Sequence, residues 1–114
     1  MRIVGLGNDL VDIRRIKKSI DRFNNKFMKR IFTENEIKYC ITKGNIPANF
    51  AKRFAAKEAC AKALGTGIAE GVHWKDMYVE NDKFGKPYLC LSGGALRRME
   101  EMTPDGMVYQ IDLT

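Results

Sequence analysis

Asp9 closes a short glycine-rich segment, Gly5-Leu6-Gly7-Asn8-Asp9, and Glu58 and Lys62 lie four positions apart in an alanine-rich stretch farther along the chain. If the fold brings Asp9 and Glu58 together, they supply two hard oxygen ligands for one Mg²⁺. Lys62 then stands one helical turn beyond Glu58, on the same face. Two carboxylates, a divalent cation and an ammonium group are a minimal set for chemistry on a phosphate ester.

Each of these residues has a plainer use. Asp9 could simply cap the helix that follows it. The Gly5-x-Gly7 pair is too short for a dinucleotide fingerprint, which needs GxGxxG in a longer strand–helix unit. Lys57, Glu58 and Lys62 could form a solvated face with an i,i+4 pair. Against that, Phe54, Ala55, Ala59, Ala61 and Ala63 surround these charges with small or apolar side chains. Charges on a mostly buried helix are usually paired, ligating or catalytic. Gly85-Lys86-Pro87 reads first as a hairpin turn, His73 as a loop residue and Trp74 as a core anchor.

With 114 residues, the chain is long enough for one domain, residues 1–114, with one modest core. It has 45% hydrophobic and 30% charged residues, the balance of a soluble globular protein. Asp9 interrupts the apolar start, so we expect no secretory segment, and no run is long enough to span a membrane. Cys40, Cys60 and Cys90 are widely spaced, without CxxC or a His/Cys cluster. They point to reduced, buried thiols in a cytoplasmic protein rather than zinc ligands. The net charge of +6 is concentrated between Arg14 and Arg30, where eight basic residues face Asp21 alone. A local basic face calls for an acidic partner: nucleic acid, anionic membrane or an acidic protein.

Elements must position these groups. Ile3 to Leu6 reads as a short strand. An amphipathic helix follows over roughly Val11 to Asn24, with Ile13, Ile16, Ile20 and Phe23 as its apolar stripe. Thr33-Glu34-Asn35-Glu36 has the form of a capping box that opens a helix through about Thr42. Pro47 suits the first turn of a third helix, whose body is Ala51 to Leu64, and Gly65-Thr66-Gly67 ends it. Met77 to Glu80 and Tyr88 to Leu91 read as a hairpin, Ala95 to Met102 as a short helix. Val108 to Leu113 alternates as a last strand, and a further strand is expected beyond Thr114. The order is α+β, with an antiparallel sheet against a long helix.

Gly7-Asn8-Asp9-Leu10-Val11-Asp12-Ile13-Arg14-Arg15-Ile16 resembles the first motif of the holo-acyl-carrier-protein synthases, the smaller type of phosphopantetheinyl transferase. Arg53-Phe54-Ala55-Ala56-Lys57-Glu58-Ala59, followed by Lys62-Ala63-Leu64-Gly65-Thr66-Gly67, resembles the second and more specific motif. Asn81 through Pro87 resembles a third block, and the resemblance covers essentially the whole chain. It implies transfer of the 4′-phosphopantetheine arm of coenzyme A to a serine of apo acyl carrier protein, with adenosine 3′,5′-bisphosphate leaving. By motif position, Asp9 and Glu58 would hold Mg²⁺ and Lys62 would meet the attacked phosphate or the leaving group. Arg53, Gly65, Thr66, Gly85, Lys86 and Pro87 would line the nucleotide site. Arg15 would open a carrier-docking helix that includes Lys18, Arg22 and Lys26. The family implies a homotrimer with sites between subunits.

Family members usually end in a strand carrying a Ser-His-Thr-type motif. This chain ends Tyr109-Gln110-Ile111-Asp112-Leu113-Thr114, with no histidine. That motif has diverged or lies beyond Thr114, which leaves one wall of the nucleotide site open. Phosphoryl transfer needs positioning and charge neutralisation more than covalent chemistry. The attacking serine belongs to the partner, so no catalytic triad is required. A metal-held water or Glu58 could serve as base, and the sequence leaves both open. The competing reading is a small RNA-binding protein using the basic helix, which would want aromatics interleaved for base stacking. A third is a coenzyme A-binding module without catalysis, against which Asp9, Glu58 and Lys62 all speak.

Overall fold

A computed structural model describes residues 2–113. Its helices are α1 (Ile13–Phe23), α2 (Asn25–Ile31), α3 (Glu34–Thr42), α4 (Ile46–Ala63) and α5 (Gly93–Met102). A 3₁₀ turn over Trp74–Asp76 leads into β1 (Met77–Asn81), which pairs antiparallel with β2 (Pro87–Leu91) in the register Met77↔Leu91 to Asn81↔Pro87. The architecture is α+β, organised on the longest helix, α4.

Local chemistry explains the boundaries. Thr33 and Glu36 form the expected capping box: Glu36 N donates to Thr33 Oγ1 at 3.2 Å, and Thr33 N donates to Glu36 Oε1 at 3.1 Å. Asn45 caps α4, accepting from Ala48 N at 3.1 Å, and Pro47 sits in its first turn. Gly65 follows α4 with φ of +78°, a left-handed conformation that costs glycine little. Arg98 on α5 donates from Nε to the Leu64 carbonyl at 2.8 Å, so a cation closes the carbonyl end of α4.

α4 joins two apolar clusters. Phe50 and Ala51 pack with Ile16, Ile31, Phe32 and Cys40. Ala61, near the other end, packs with Leu64, Val72, Met77, Ala95 and Met99. Between these clusters the inward face of α4 carries Arg53 and Lys57, both buried. Positions 50, 53, 57, 61 and 64 follow helical spacing, so one continuous stripe is apolar at its ends and charged in its middle.

Four expectations are corrected. Helix α1 begins at Ile13, because Asp12 takes the cap by accepting from Arg14 N at 2.9 Å. Its expected apolar stripe is only partly covered, since Ile16 is buried but Ile13 and Phe23 are exposed. Asn24, with φ of +49°, breaks the basic run, and a further helix, α2, follows where none was expected. Finally, Ile3–Leu6 and Val108–Leu113 are not strands. Alternation reports which side chains face inward, but a strand also needs a partner for its backbone, and within the described residues β1 and β2 pair only with each other. The strand expected beyond Thr114 lies outside the described residues.

Candidate active site

The site is assembled by a seam of small residues. A Cβ added to Gly7 would collide with the Ala59 carbonyl oxygen, and one added to Gly5 with the Ala63 carbonyl oxygen. The amino-terminal segment therefore lies directly on α4, running opposite to it. Two extended residues advance about 6.6 Å, and four helical residues about 6 Å. Glycines two apart thus keep pace with alanines four apart.

That seam delivers Asp9 to Lys62. Lys62 Nζ donates to Asp9 Oδ1 at 2.9 Å and to the Asn8 carbonyl at 3.2 Å. The Asp9 side chain is 17% exposed and the Lys62 side chain 53%. Helical side chains lean toward the amino terminus, so Lys62 reaches back over the turn that carries Glu58. Glu58 is half-buried. Asp9 is thus an ion-pair partner rather than a helix cap, and its partner Lys62 stands one turn along α4 from Glu58.

Other expected residues take their places from backbone turns. Gly65 and Thr66 lie just past α4, where Gly65 N donates to the Lys62 carbonyl at 3.0 Å. Gly85, Lys86 and Pro87 form the exposed hairpin turn, with Gly85 at φ of +85°. Asp82 Oδ1 accepts from Phe84 N and Lys86 N, both at 2.9 Å, and Asn81 Nδ2 donates to the Gly85 carbonyl at 3.1 Å. A cavity of about 1160 Å³ runs between α4, the hairpin and the two extended terminal segments. Asp9, Arg53, Gly85 and Pro87 line it, whereas Glu58, Lys62, Gly65, Thr66 and Lys86 do not.

A family model for the 4′-phosphopantetheinyl transferase superfamily matches residues 5–112. The chain belongs to that superfamily. It is 56% identical over 112 residues to the holo-[acyl-carrier-protein] synthase of Phenylobacterium zucineum, an alignment covering 98% of this chain and 81% of that one. The crystal structure of the synthase from Neisseria meningitidis superposes with a TM-score of 0.76 at 38% identity, covering 88% and 79% of the two chains. The synthase of Bacillus anthracis, solved in complex with CoA (3′,5′-ADP), gives 0.70 at 48% identity, covering 79% and 76%. By family, then, the chain is an enzyme, a phosphopantetheinyl transferase.

Two further features of the transferase stand out. Its basic segment is partly neutralised from within. Arg14 NH2 meets Asp12 Oδ2 at 2.9 Å, and Lys17 meets Asp21 at 2.7 Å. Arg15, Lys18, Arg22 and Lys26 are exposed, as are the apolar Leu10, Ile13 and Phe23 beside them. The second feature escaped the sequence reading. Glu36, spotted as a capping residue, also receives Lys57 Nζ at 2.7 Å and Val79 N at 3.1 Å, and is fully buried. Thr33-x-x-Glu36 accounts for one carboxylate oxygen, and nothing in the local pattern signals the second.

The cysteines are free, but only Cys40 is buried as expected; Cys60 and Cys90 are partly exposed. Burial pushes the Cys40 and Cys60 thiols up to about 11, as expected of inert structural thiols.

Proposed function

We propose that the transferase moves the 4′-phosphopantetheine arm of coenzyme A to a serine of apo acyl carrier protein, releasing adenosine 3′,5′-bisphosphate. The observation that carries this reading is the Asp9–Lys62 contact at 2.9 Å, which joins the two family motifs at one point on α4. Coenzyme A accompanies a related synthase in its solved structure, which supports it as the donor. The RNA-binding alternative finds no support in the family.

The donor set fits a divalent cation. Asp9 is a half-buried carboxylate that already faces a cationic group, and Glu58 is a second hard oxygen donor one turn from Lys62 on α4. Asp9 and Glu58 would hold Mg²⁺, which neutralises negative charge on a pyrophosphate when bound. Lys62, mostly exposed, is free to turn its ammonium group from Asp9 to a phosphate oxygen. The serine oxygen bonds to the phosphorus that bears pantetheine, the bond from that phosphorus to the bridging oxygen breaks, and the serine proton goes to a base of the site. The bisphosphate carries away the electron pair. Lys62 stabilises charge gathering on the phosphoryl or leaving oxygens.

Around this centre, Gly85, Lys86 and Pro87, with Gly65 and Thr66, border the nucleotide. Arg53 supports that wall from behind. Arg15, Lys18, Arg22 and Lys26 dock the acidic carrier, because complementary charge speeds encounter. The helices of the described residues include none long and apolar enough to cross a membrane, and we place the enzyme in the cytoplasm, in fatty acid biosynthesis.

The assembly we propose is a homotrimer with sites between subunits. Ile3, Leu6 and Val108 stand exposed on segments whose backbone has no sheet partner among the described residues, as expected of faces that pair with a neighbour. Light scattering at micromolar concentration tests this, and a fully active monomer would refute it. The activity itself is tested by weighing apo carrier protein after incubation with the enzyme, coenzyme A and Mg²⁺. A gain equal to one phosphopantetheine supports the reading, and an unchanged mass overturns it.

A further inference from the structure

We infer that the buried Glu36–Lys57–Arg53 cluster is a positioning device that locks the metal-binding face of α4 and the nucleotide turn into one rigid frame. The inference rests on the transferase reading. Its central pair, Glu36 and Lys57, is fully buried and stands apart from the proposed substrate and metal contacts, whereas Arg53 also lines the cavity.

The cluster ties three elements together. Glu36 on α3 and Lys57 on α4 are both fully buried, with 2.7 Å between Oε1 and Nζ. Lys57 spends its other donors on the carbonyls of Trp74, at 3.1 Å, and Met77. The second Glu36 oxygen accepts from Val79 N on β1 at 3.1 Å and lies 4.0 Å from Arg53 NH1. Arg53, stacked over the Tyr39 ring at 4.3 Å, donates to the Val79 carbonyl and to Asn81 Oδ1. Among the described residues, no buried side-chain polar atom lacks a partner. Burial pulls the Lys57 ammonium below its ordinary value, while Glu36 opposes that shift.

Two consequences follow for the site. Lys57 and Glu58 are neighbours on α4, about 100° apart around its axis. Fixing Lys57 inward fixes the direction in which Glu58 emerges, and Lys62 with it. Second, Arg53 holds Asn81, and Asn81 Nδ2 holds the Gly85 carbonyl at 3.1 Å. A line of hydrogen bonds thus runs from the interior of α4 to the Gly85–Pro87 turn. An apolar core could hold α4 against the hairpin, but it would not set rotation and turn position so tightly, because dispersion contacts are non-directional. Buried ion pairs are weak evidence for stability, and a role in specifying geometry is the stronger explanation for this one.

The test compares Glu36→Gln, Lys57→Met, the double variant and Asn81→Ala in the whole chain. Lys57→Met takes the nearer cation from a buried carboxylate and leaves it only the more distant Arg53, so the double variant should melt at a higher temperature than Lys57→Met. Its kcat should nevertheless stay at least tenfold below the parent's, because stability returns without the frame. A kcat that recovers in step with the melting temperature would show a purely structural pair and overturn the inference. Asn81→Ala, at the half-buried end of the line, should raise KM for coenzyme A roughly tenfold and change kcat less than twofold. An unchanged KM would overturn the turn-positioning arm. Amide exchange over residues 82–86 should quicken at least tenfold in Glu36→Gln at a temperature where global unfolding is negligible, and unchanged exchange counts against the frame. That readout needs no catalysis, so an inactive parent would sink the transferase reading while exchange still decides the frame.

Discussion

Lys62 and Asp9, 53 positions apart, meet at 2.9 Å across a seam where Gly5 and Gly7 lie on the backbone of Ala63 and Ala59. The ion pair itself is half-exposed and contributes little to stability. Its value is positional: it reports that the first motif and the long helix arrive at one place with their charged groups face to face.

Activity should depend on a divalent metal held by Asp9 and Glu58. Asp9→Ala and Glu58→Ala should each lower kcat/KM by roughly 10²-fold or more, or ~2.7 kcal/mol of transition-state stabilisation. Steady-state kinetics with and without EDTA checks this. Full activity under chelation, or in either variant, would refute the metal assignment.

The seam should not tolerate a methyl group. Gly7→Ala places a Cβ against the Ala59 carbonyl oxygen, which is helix backbone and cannot move aside. The amino-terminal segment must lift, carrying Asp9 away from Lys62. We expect kcat/KM to drop at least tenfold with a lowered melting temperature. Gly44→Ala, where an added Cβ meets nothing within 4 Å, is the control and should be nearly silent.

Reversing Arg15 and Arg22 together should raise the apparent KM for the carrier protein and flatten its dependence on salt. Exposed charges act mainly on association and are screened by ions. Affinity for coenzyme A, read by calorimetry, should stay put. Loss of coenzyme A affinity with carrier affinity intact would show that the helix serves the nucleotide instead.

Cys40 should make the protein sensitive to alkali. Its folded value of about 11 lies above the ordinary 9.0. A raised folded value means that the native state binds the proton more tightly, so the contribution is complete below pH 9 and fades as pH climbs toward 11. Cys40→Ala should therefore lose less stability between pH 8 and pH 10.5 than the parent does, as read from urea midpoints. Equal losses would exclude the thiol as a source of that dependence.

Much of this was legible in the residues themselves, for local reasons. Thr33 and Glu36, Pro47 with the alanine-rich body of α4, and the glycine after it mark helix ends because capping is decided within a few positions. The hairpin declares itself through apolar runs around Asn81–Pro87, and the site motifs through residue types at fixed spacing. Asp12 capping α1 in place of Asp9 turned on which of two nearby carboxylates reaches the Arg14 amide. That choice was still local, but it was finer than the pattern could resolve.

Only the tertiary structure decided the rest. Ile3–Leu6 and Val108–Leu113 have strand-like sequences, but a strand forms only where another backbone offers hydrogen bonds. Lys57 and Glu58 are adjacent charges, and nothing local shows that one enters the interior while its neighbour does not. That depends on Glu36, 21 positions away from Lys57. Burial of a charge is set by the partner waiting for it, and a partner brought in by folding leaves no mark on the flanking sequence.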